Sequence, residues 1–313
     1  MKALTSALHT SMCLISPHNS SDQTTTNIST FLTPNKLPSS SSKSSALVNN
    51  PLYSQTHHNI SSQFKEKILC LEILGIDTGK ALSSNPSLHT ASLSSIHAVF
   101  SFLQSKGIHQ KDFPRIFGMC PKILTSNIQT ELNPVFSFLF YELGVPERSF
   151  RKVINRCPRL LTSSVSHQLK PALLYLKRLG FRDFEALANT EPVLFVSNVE
   201  KVLITKLEYL INLGFSRDEA IGMVLRCPSL FTFSIENNFE PKLKYFVGEM
   251  KGKLEELKEF PHYFSFSLEK RIKPRHFEVM QKGVNVPLSL LLKSTDDEFN
   301  QLIQNQLIVQ HKL

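Results

Sequence analysis

Prolines recur along this chain in pairs thirteen residues apart, and the pairs themselves repeat: Pro121 with Pro134, Pro158 with Pro171, Pro228 with Pro241, and Pro261 with Pro274. Pro192 opens a further unit in which Thr205 stands where the second proline is expected, and Pro86 extends the array upstream. From Pro121 onward the opening prolines are 37, 34, 36 and 33 residues apart. A period in this range marks a stacked helical solenoid, because one such unit cannot bury its own apolar face and must lean on the next. It points to an extended binding surface rather than to a pocket enzyme.

Each unit reads as a long helix, a turn, a short helix and an apolar turn. The residue before a proline is pushed out of the α region, so Cys120, Cys157 and Cys227 mark the ends of short helices. The apolar turn is Arg159-Leu160-Leu161 in one unit and Val193-Leu194-Phe195 in the next. On the long helix, Leu169, Leu173 and Leu176 share one face, as do Leu203, Leu207 and Leu210. Gly107, Gly144, Gly180, Gly214 and Gly283 end the long helices in the left-handed conformation glycine favours. Ser216 with Glu219 forms a capping box for one short helix. The second proline either opens the long helix at its first turn or kinks it, and the sequence does not decide between these. Residues 248–260 depart from the pattern, with Gly248 early and four glutamates crowding the short helix.

Composition agrees with packed helices. Glycine is scarce (11), tryptophan absent and phenylalanine abundant (23) in 313 residues. No run of 18 apolar residues occurs, so a membrane partner is not expected. The five cysteines are too few and too dispersed for a disulfide framework, and their spacing lacks the CxxC character of a zinc site. Cys120, Cys157 and Cys227, each just before a repeat proline, read as buried small apolar residues in equivalent places of successive units.

The first sixty residues carry 13 Ser and 8 Thr against one acidic residue and no arginine. That is the composition of an organelle transit peptide, and the missing arginine favours the chloroplast over the mitochondrion. A disordered polar tail is the plain alternative. The expected organisation is a leader over 1–60, a repeat domain over 64–299 and a C-terminal tail over 300–313.

Several units also resemble a known family. The run Leu213-Gly214-Phe215-Ser216-Arg217-Asp218-Glu219-Ala220, leading into Arg226-Cys227-Pro228-Ser229-Leu230, is similar to the plant mTERF (mitochondrial transcription termination factor) repeat. So is Phe266-Ser267-Leu268-Glu269-Lys270-Arg271-Ile272-Lys273-Pro274-Arg275. The resemblance covers roughly residues 64–299. It implies an all-α, right-handed superhelical solenoid with a basic concave groove, acting in an organelle on double-stranded DNA or on RNA. Thr205, and Glu191 in the place of the cysteine before Pro192, depart from the repeat and leave local helix geometry open.

The formal charge of +9 suits a polyanionic partner or simple solubility. Opposite the leucines, the long helices carry Lys170, Arg178, Lys201, Lys244, Lys270 and Lys273. Lys206, Lys242 and Arg275 share the position just after the second proline, a ladder that could track a phosphate backbone. Arg271 completes a cluster at 270–275, and Arg156 and Arg159 belong to a second cluster with Arg148, Arg151 and Lys152 around a short helix. The plain alternative for each is a solvated face with local ion pairs. Tyr175, Tyr209 and Tyr245 share one position with Phe138 and either stack on unpaired bases or wedge between units.

No P-loop, GxSxG or HExxH motif is present, and no catalytic residue, metal or cofactor is expected. The expected protein is a monomer that binds organellar DNA or RNA, with the transcription machinery as a further partner. A protein-binding solenoid is the remaining alternative.

Overall fold

The computed structural model describes residues 51–310, so residues 1–50 of the expected leader lie outside the described part. Every regular element among the described residues is helical. In chain order the α-helices are α1 (Pro51–Ile73), α2 (Thr78–Ser84), α3 (Leu93–Ser105), α4 (Phe113–Met119), α5 (Asn133–Ser137), α6 (Glu147–Arg156), α7 (Lys170–Leu179) and α8 (Phe184–Thr190). They continue with α9 (Thr205–Asn212), α10 (Arg217–Arg226), α11 (Glu240–Gly248), α12 (Leu254–Glu259), α13 (Lys273–Gln281), α14 (Leu288–Lys293) and α15 (Asp296–Gln310).

The opening proline of each unit starts a short 3₁₀ turn, as at Pro121–Thr125 and Pro158–Thr162. Six residues after it comes a helix N-cap, in register through the whole array: Ser92, Asn127, Ser164, Asn198, Ser234 and Ser267. Each accepts a bond from an otherwise unpaired N–H of the first turn, a device typically worth about 1 kcal/mol.

From Asn127 onward the long helix then opens with a widened π turn, as in Ile128–Leu132, Val165–Leu169 and Leu268–Ile272. Leu132 N–H, for instance, reaches back five residues to Asn127 O. The second proline follows two residues later, inside the helix. It neither opens the helix nor simply breaks it. The hydrogen-bond ladder slips by one residue where the ring enters, which accommodates a group that cannot donate and would otherwise strike the preceding turn. The unit lacking that proline keeps the wide turn, over Val199–Ile204, and the Thr205 hydroxyl donates to Glu200 O at 3.1 Å. The widened turn is therefore a property of the unit, with or without the ring.

The five glycines expected to end long helices all have positive φ, and Gly75 ends α1 in the same way. The Ser216–Glu219 capping box is present. Glu219 also pairs with Lys258 of the next unit at 2.9 Å, and the Ser216 N–H and this lysine hold its carboxyl down to about 2.

Units stack through like elements. The short helices α2, α4, α6 and α8 pack in succession, as do α10 and α12, and the opening turns form a parallel file. One continuous apolar core runs through the array, from Leu71 to Ile303. The helix α15 passes through the expected 299/300 boundary and buries Phe299 and Ile303 against the preceding helices.

The irregular stretch after Gly248 has its own solution. Lys251 takes φ 55°, and Gly252 lies against the buried Phe246 ring, so that a Cβ there would come within 2.2 Å of it. Gly252→Ala is expected to cost about 1–3 kcal/mol by overpacking a ring that has nowhere to go; urea unfolding checks this.

Candidate nucleic-acid interface

The ladder just after the second proline turns inward. In two earlier units the same position holds Val135 and Ala172, both fully buried. Lys242 follows them into the interior and donates from Nζ to Phe264 O at 2.6 Å, with burial lowering its pKa to about 8. Arg275 is 4% exposed. It donates to Leu291 O, Ser294 Oγ and Asp296, and its guanidinium lies over the Phe299 ring. Lys206 is half-buried with its ammonium over Phe239 of the next unit, and desolvation lowers its pKa. Lys242 and Arg275 therefore leave the set of phosphate candidates, and Lys206 is largely committed to packing. Their periodicity records contacts between units. The clue was present in Val135 and Ala172, whose apolar character marks the position as internal.

The cluster at 270–275 is depleted in the same manner. Arg271 donates to Leu292 O, Ser294 O and Asp296, forming a clamp with Arg275 that latches α13 to α14 and α15. Lys273 pairs with Glu269 and lies over Tyr245. Lys270 alone in the cluster is exposed and free of a carboxylate partner.

Tyr209 and Tyr245 occupy seams between units. Tyr209 packs against Phe239 of the following unit, with ring centroids 5.4 Å apart. Tyr245 meets His276 edge-on, and its hydroxyl bonds to His276 Nδ1 at 2.9 Å. Tyr175 is half-buried against the core, and Phe138 at the same position is buried outright. Tyr209 and Tyr245 therefore wedge between units rather than form an open stacking platform.

Arg156 is exposed yet tethered, donating to Asn189 O at 2.7 Å. Arg226 makes the equivalent bond to Lys258 O one unit pair later, and Arg115 reaches Asn155 O. Each bond ties a guanidinium to a carbonyl in the last turn of the next short helix, the end that favours cations. Lys170 pairs with Glu142 at 3.1 Å across an exposed edge. Arg159, Arg178, Lys201 and Lys244 are exposed and have no carboxylate partner. Of the twelve candidates, these four, Lys270, Lys170 and the tethered Arg156 present charge to solvent.

Cys120, Cys157 and Cys227 are buried, and desolvation raises each thiol. Glu191, in the equivalent place, is half-buried with its carboxyl pushed up by burial against the pull of Arg156. Among the described residues no group of three His, Cys, Asp or Glu side chains gathers to hold a metal ion. No helix there is long and apolar enough to cross a membrane.

An all-α solenoid of proline-opened units, joined by inter-unit cation–carbonyl bonds and carrying a surplus of exposed lysine and arginine, defines a helical-repeat protein with a polyanion-compatible surface. The sequence profile of the mTERF family matches residues 68–190 and 142–300, and the chain belongs to that family. Over 84 residues it is 33% identical to the Arabidopsis thaliana protein named transcription termination factor MTERF4, chloroplastic, a stretch covering 27% of this chain and 15% of that one. It is 37% identical over 84 residues to the Arabidopsis thaliana MTERF2, chloroplastic, covering 27% and 13%. With the Zea mays MTERF4, chloroplastic, identity is 40% over 82 residues, covering 25% and 16%. The matched stretches thus span only a small part of these relatives' own lengths. The relatives are named chloroplastic, the address expected from the serine- and threonine-rich first sixty residues, and the chain is assigned to the chloroplast.

Proposed function

We propose that this protein binds nucleic acid in the chloroplast and regulates organellar gene expression, with double-stranded DNA as the target and transcription termination or regulation as the outcome. The observation that carries the reading is the family membership of the repeat array, whose relatives are named transcription termination factors. The exposed cations support it. Seven of the candidate positions still offer charge after internal pairing is accounted for. Binding of this kind needs no reacting group. The solenoid holds phosphates by charge and shape and obstructs or positions the polymerase. RNA binding in transcript maturation or splicing is the alternative on the same scaffold, and the domain carrying either role is the repeat array over 64–299.

The test is equilibrium binding of the full chain to duplex DNA and to structured RNA across a salt series. Five or six phosphate contacts give a log–log slope of about −4.5 to −5.5 on duplex DNA. A slope near zero with both polymers removes the proposal; a steep slope with RNA alone moves it to the alternative.

A further inference from the structure

The short-helix layer carries a second basic surface, built from two parallel rows. Positions ten, six and two before the opening proline are four residues apart, the spacing of one helix face, and the position after it lies in the adjoining 3₁₀ turn. In the unit opened by Pro121 they are Lys111, Arg115, Met119 and Lys122. In the unit opened by Pro158 they are Arg148, Lys152, Arg156 and Arg159. All eight side chains are exposed and seven are cations. The two rows lie side by side, because α4 packs on α6 and the turn Pro121–Thr125 packs on Pro158–Thr162.

Exposed Glu147, beside Arg148 on α6, offsets one charge of these rows, and the other nearby acids are engaged. Asp112 is held by Arg151 through two bonds of 2.6 and 2.9 Å. Glu131 accepts from the Asn127 N–H, and Glu142 pairs with Lys170. Arg115 and Arg156 are each fixed by one bond to a helix-end carbonyl, which leaves the rest of the guanidinium fork to face solvent in a set orientation. The same positions in later units lose the charge. They read Arg182, Ala186, Thr190 and Val193, then Asp218, Gly222, Arg226 and Ser229, and finally Lys251, Glu255, Glu259 and His262. Upstream, the unit opened by Pro86 reads Ile76, Lys80, Ser84 and Ser87, so the cations gather in two adjacent units, which solubility alone would not require.

We infer that these two rows are the main phosphate-contacting surface, taking the sugar–phosphate backbone of a nucleic acid across the short helices of the units opened by Pro121 and Pro158. This rests on the nucleic-acid reading above and locates it. Arg148, Lys152 and Arg156 lie four residues apart on α6, about 6 Å along the axis, and packed helices are about 8–10 Å apart. Charge spread over that grid does not converge on one small anion. It matches a polymer of regularly spaced anions.

Two variants of the full chain with equal change in net charge test the inference, using a short fluorescein-labelled DNA duplex over about 50 to 200 mM salt. The first carries Lys111→Gln, Lys122→Gln, Arg148→Gln and Lys152→Gln, sparing the tethered arginines. The second carries Lys65→Gln, Lys177→Gln, Arg217→Gln and Lys251→Gln, exposed cations outside the two rows. The row variant is expected to reduce the salt slope by about 3 to 4, with an unchanged melting curve by circular dichroism, while the second variant keeps the slope of the unaltered chain. Equal losses in both variants, or an undiminished slope in the row variant, overturn the inference and leave the rows to an acidic protein partner. Absence of salt-dependent binding by the unaltered chain removes the function proposed above, and this inference with it.

Discussion

Replacing Arg275 by alanine is expected to unlatch the C-terminal end of the array at a cost of about 3–4 kcal/mol, from the lost side-chain volume and the buried groups left unpaired. The guanidinium is almost fully enclosed, bonds to Leu291 O at 2.7 Å and to Ser294 Oγ at 2.9 Å, and lies 4.4 Å over the Phe299 ring. Its removal leaves a buried carbonyl without a donor and a void beneath α15. Asp296 is the less important partner. Its side chain is 83% exposed, so water replaces the lost bond, and Asp296→Asn is expected to cost less than the arginine change. In a solenoid the loss stays local. Hydrogen-exchange protection should fall across α13, α14 and α15 and hold in α4 through α10. If Arg275→Ala instead leaves that protection intact and weakens nucleic-acid binding, the residue belongs to the interface after all.

The second large effect is a pH dependence at Lys242. Burial lowers its pKa from the ordinary 10.5 to about 8. The folded state therefore sheds this proton before the unfolded chain does. Between pH 8 and 10.5 the unfolded chain holds more protons, so the contribution of Lys242 to stability rises with pH. Below pH 8 the full cost of an enclosed ammonium is present, moderated by its bond to Phe264 O. The buried thiols of Cys120, Cys157 and Cys227 act in the opposite sense, since their raised pKa values make stability fall as pH climbs. The comparison must therefore be with Lys242→Met. The stability of the native chain relative to this variant is expected to increase by about 2–3 kcal/mol across the window. Denaturant unfolding at a series of pH values measures it, and a difference that stays flat from pH 8 to 10.5 means the ammonium is not enclosed.

These two residues illustrate a general feature of repeat proteins. A charge that recurs once per unit has two explanations: a ligand that follows the repeat, or a neighbouring unit that follows it. The second applies to Lys242 and Arg275, and to the tethers from Arg115, Arg156 and Arg226. Such bonds join carbonyls at helix ends, where no intrahelical donor remains, to a long side chain from the adjacent unit. They add to apolar burial in holding the stack together, and where the cation is itself enclosed, as at Lys242 and Arg275, they withdraw its charge from a partner.

What the sequence alone determined about this protein is local. Proline before a turn, an N-cap six residues on, a glycine at the helix end and leucines at helical spacing are properties of short segments, because sterics and backbone hydrogen bonding act over a few residues. They were enough for the all-α repeat architecture, the helix ends and the buried cysteines. The direction of a polar side chain was not legible in that way. Lys242 and Lys244 are two residues apart on one helix, yet one is enclosed and the other exposed. Only the tertiary structure decided which, since enclosure depends on the neighbouring unit supplying a carbonyl within reach and an apolar wall around it. The two basic rows needed the same information: the thirty-seven-residue step from Lys111 to Arg148 is visible in the chain, but it becomes one surface only because α4 and α6 lie against each other.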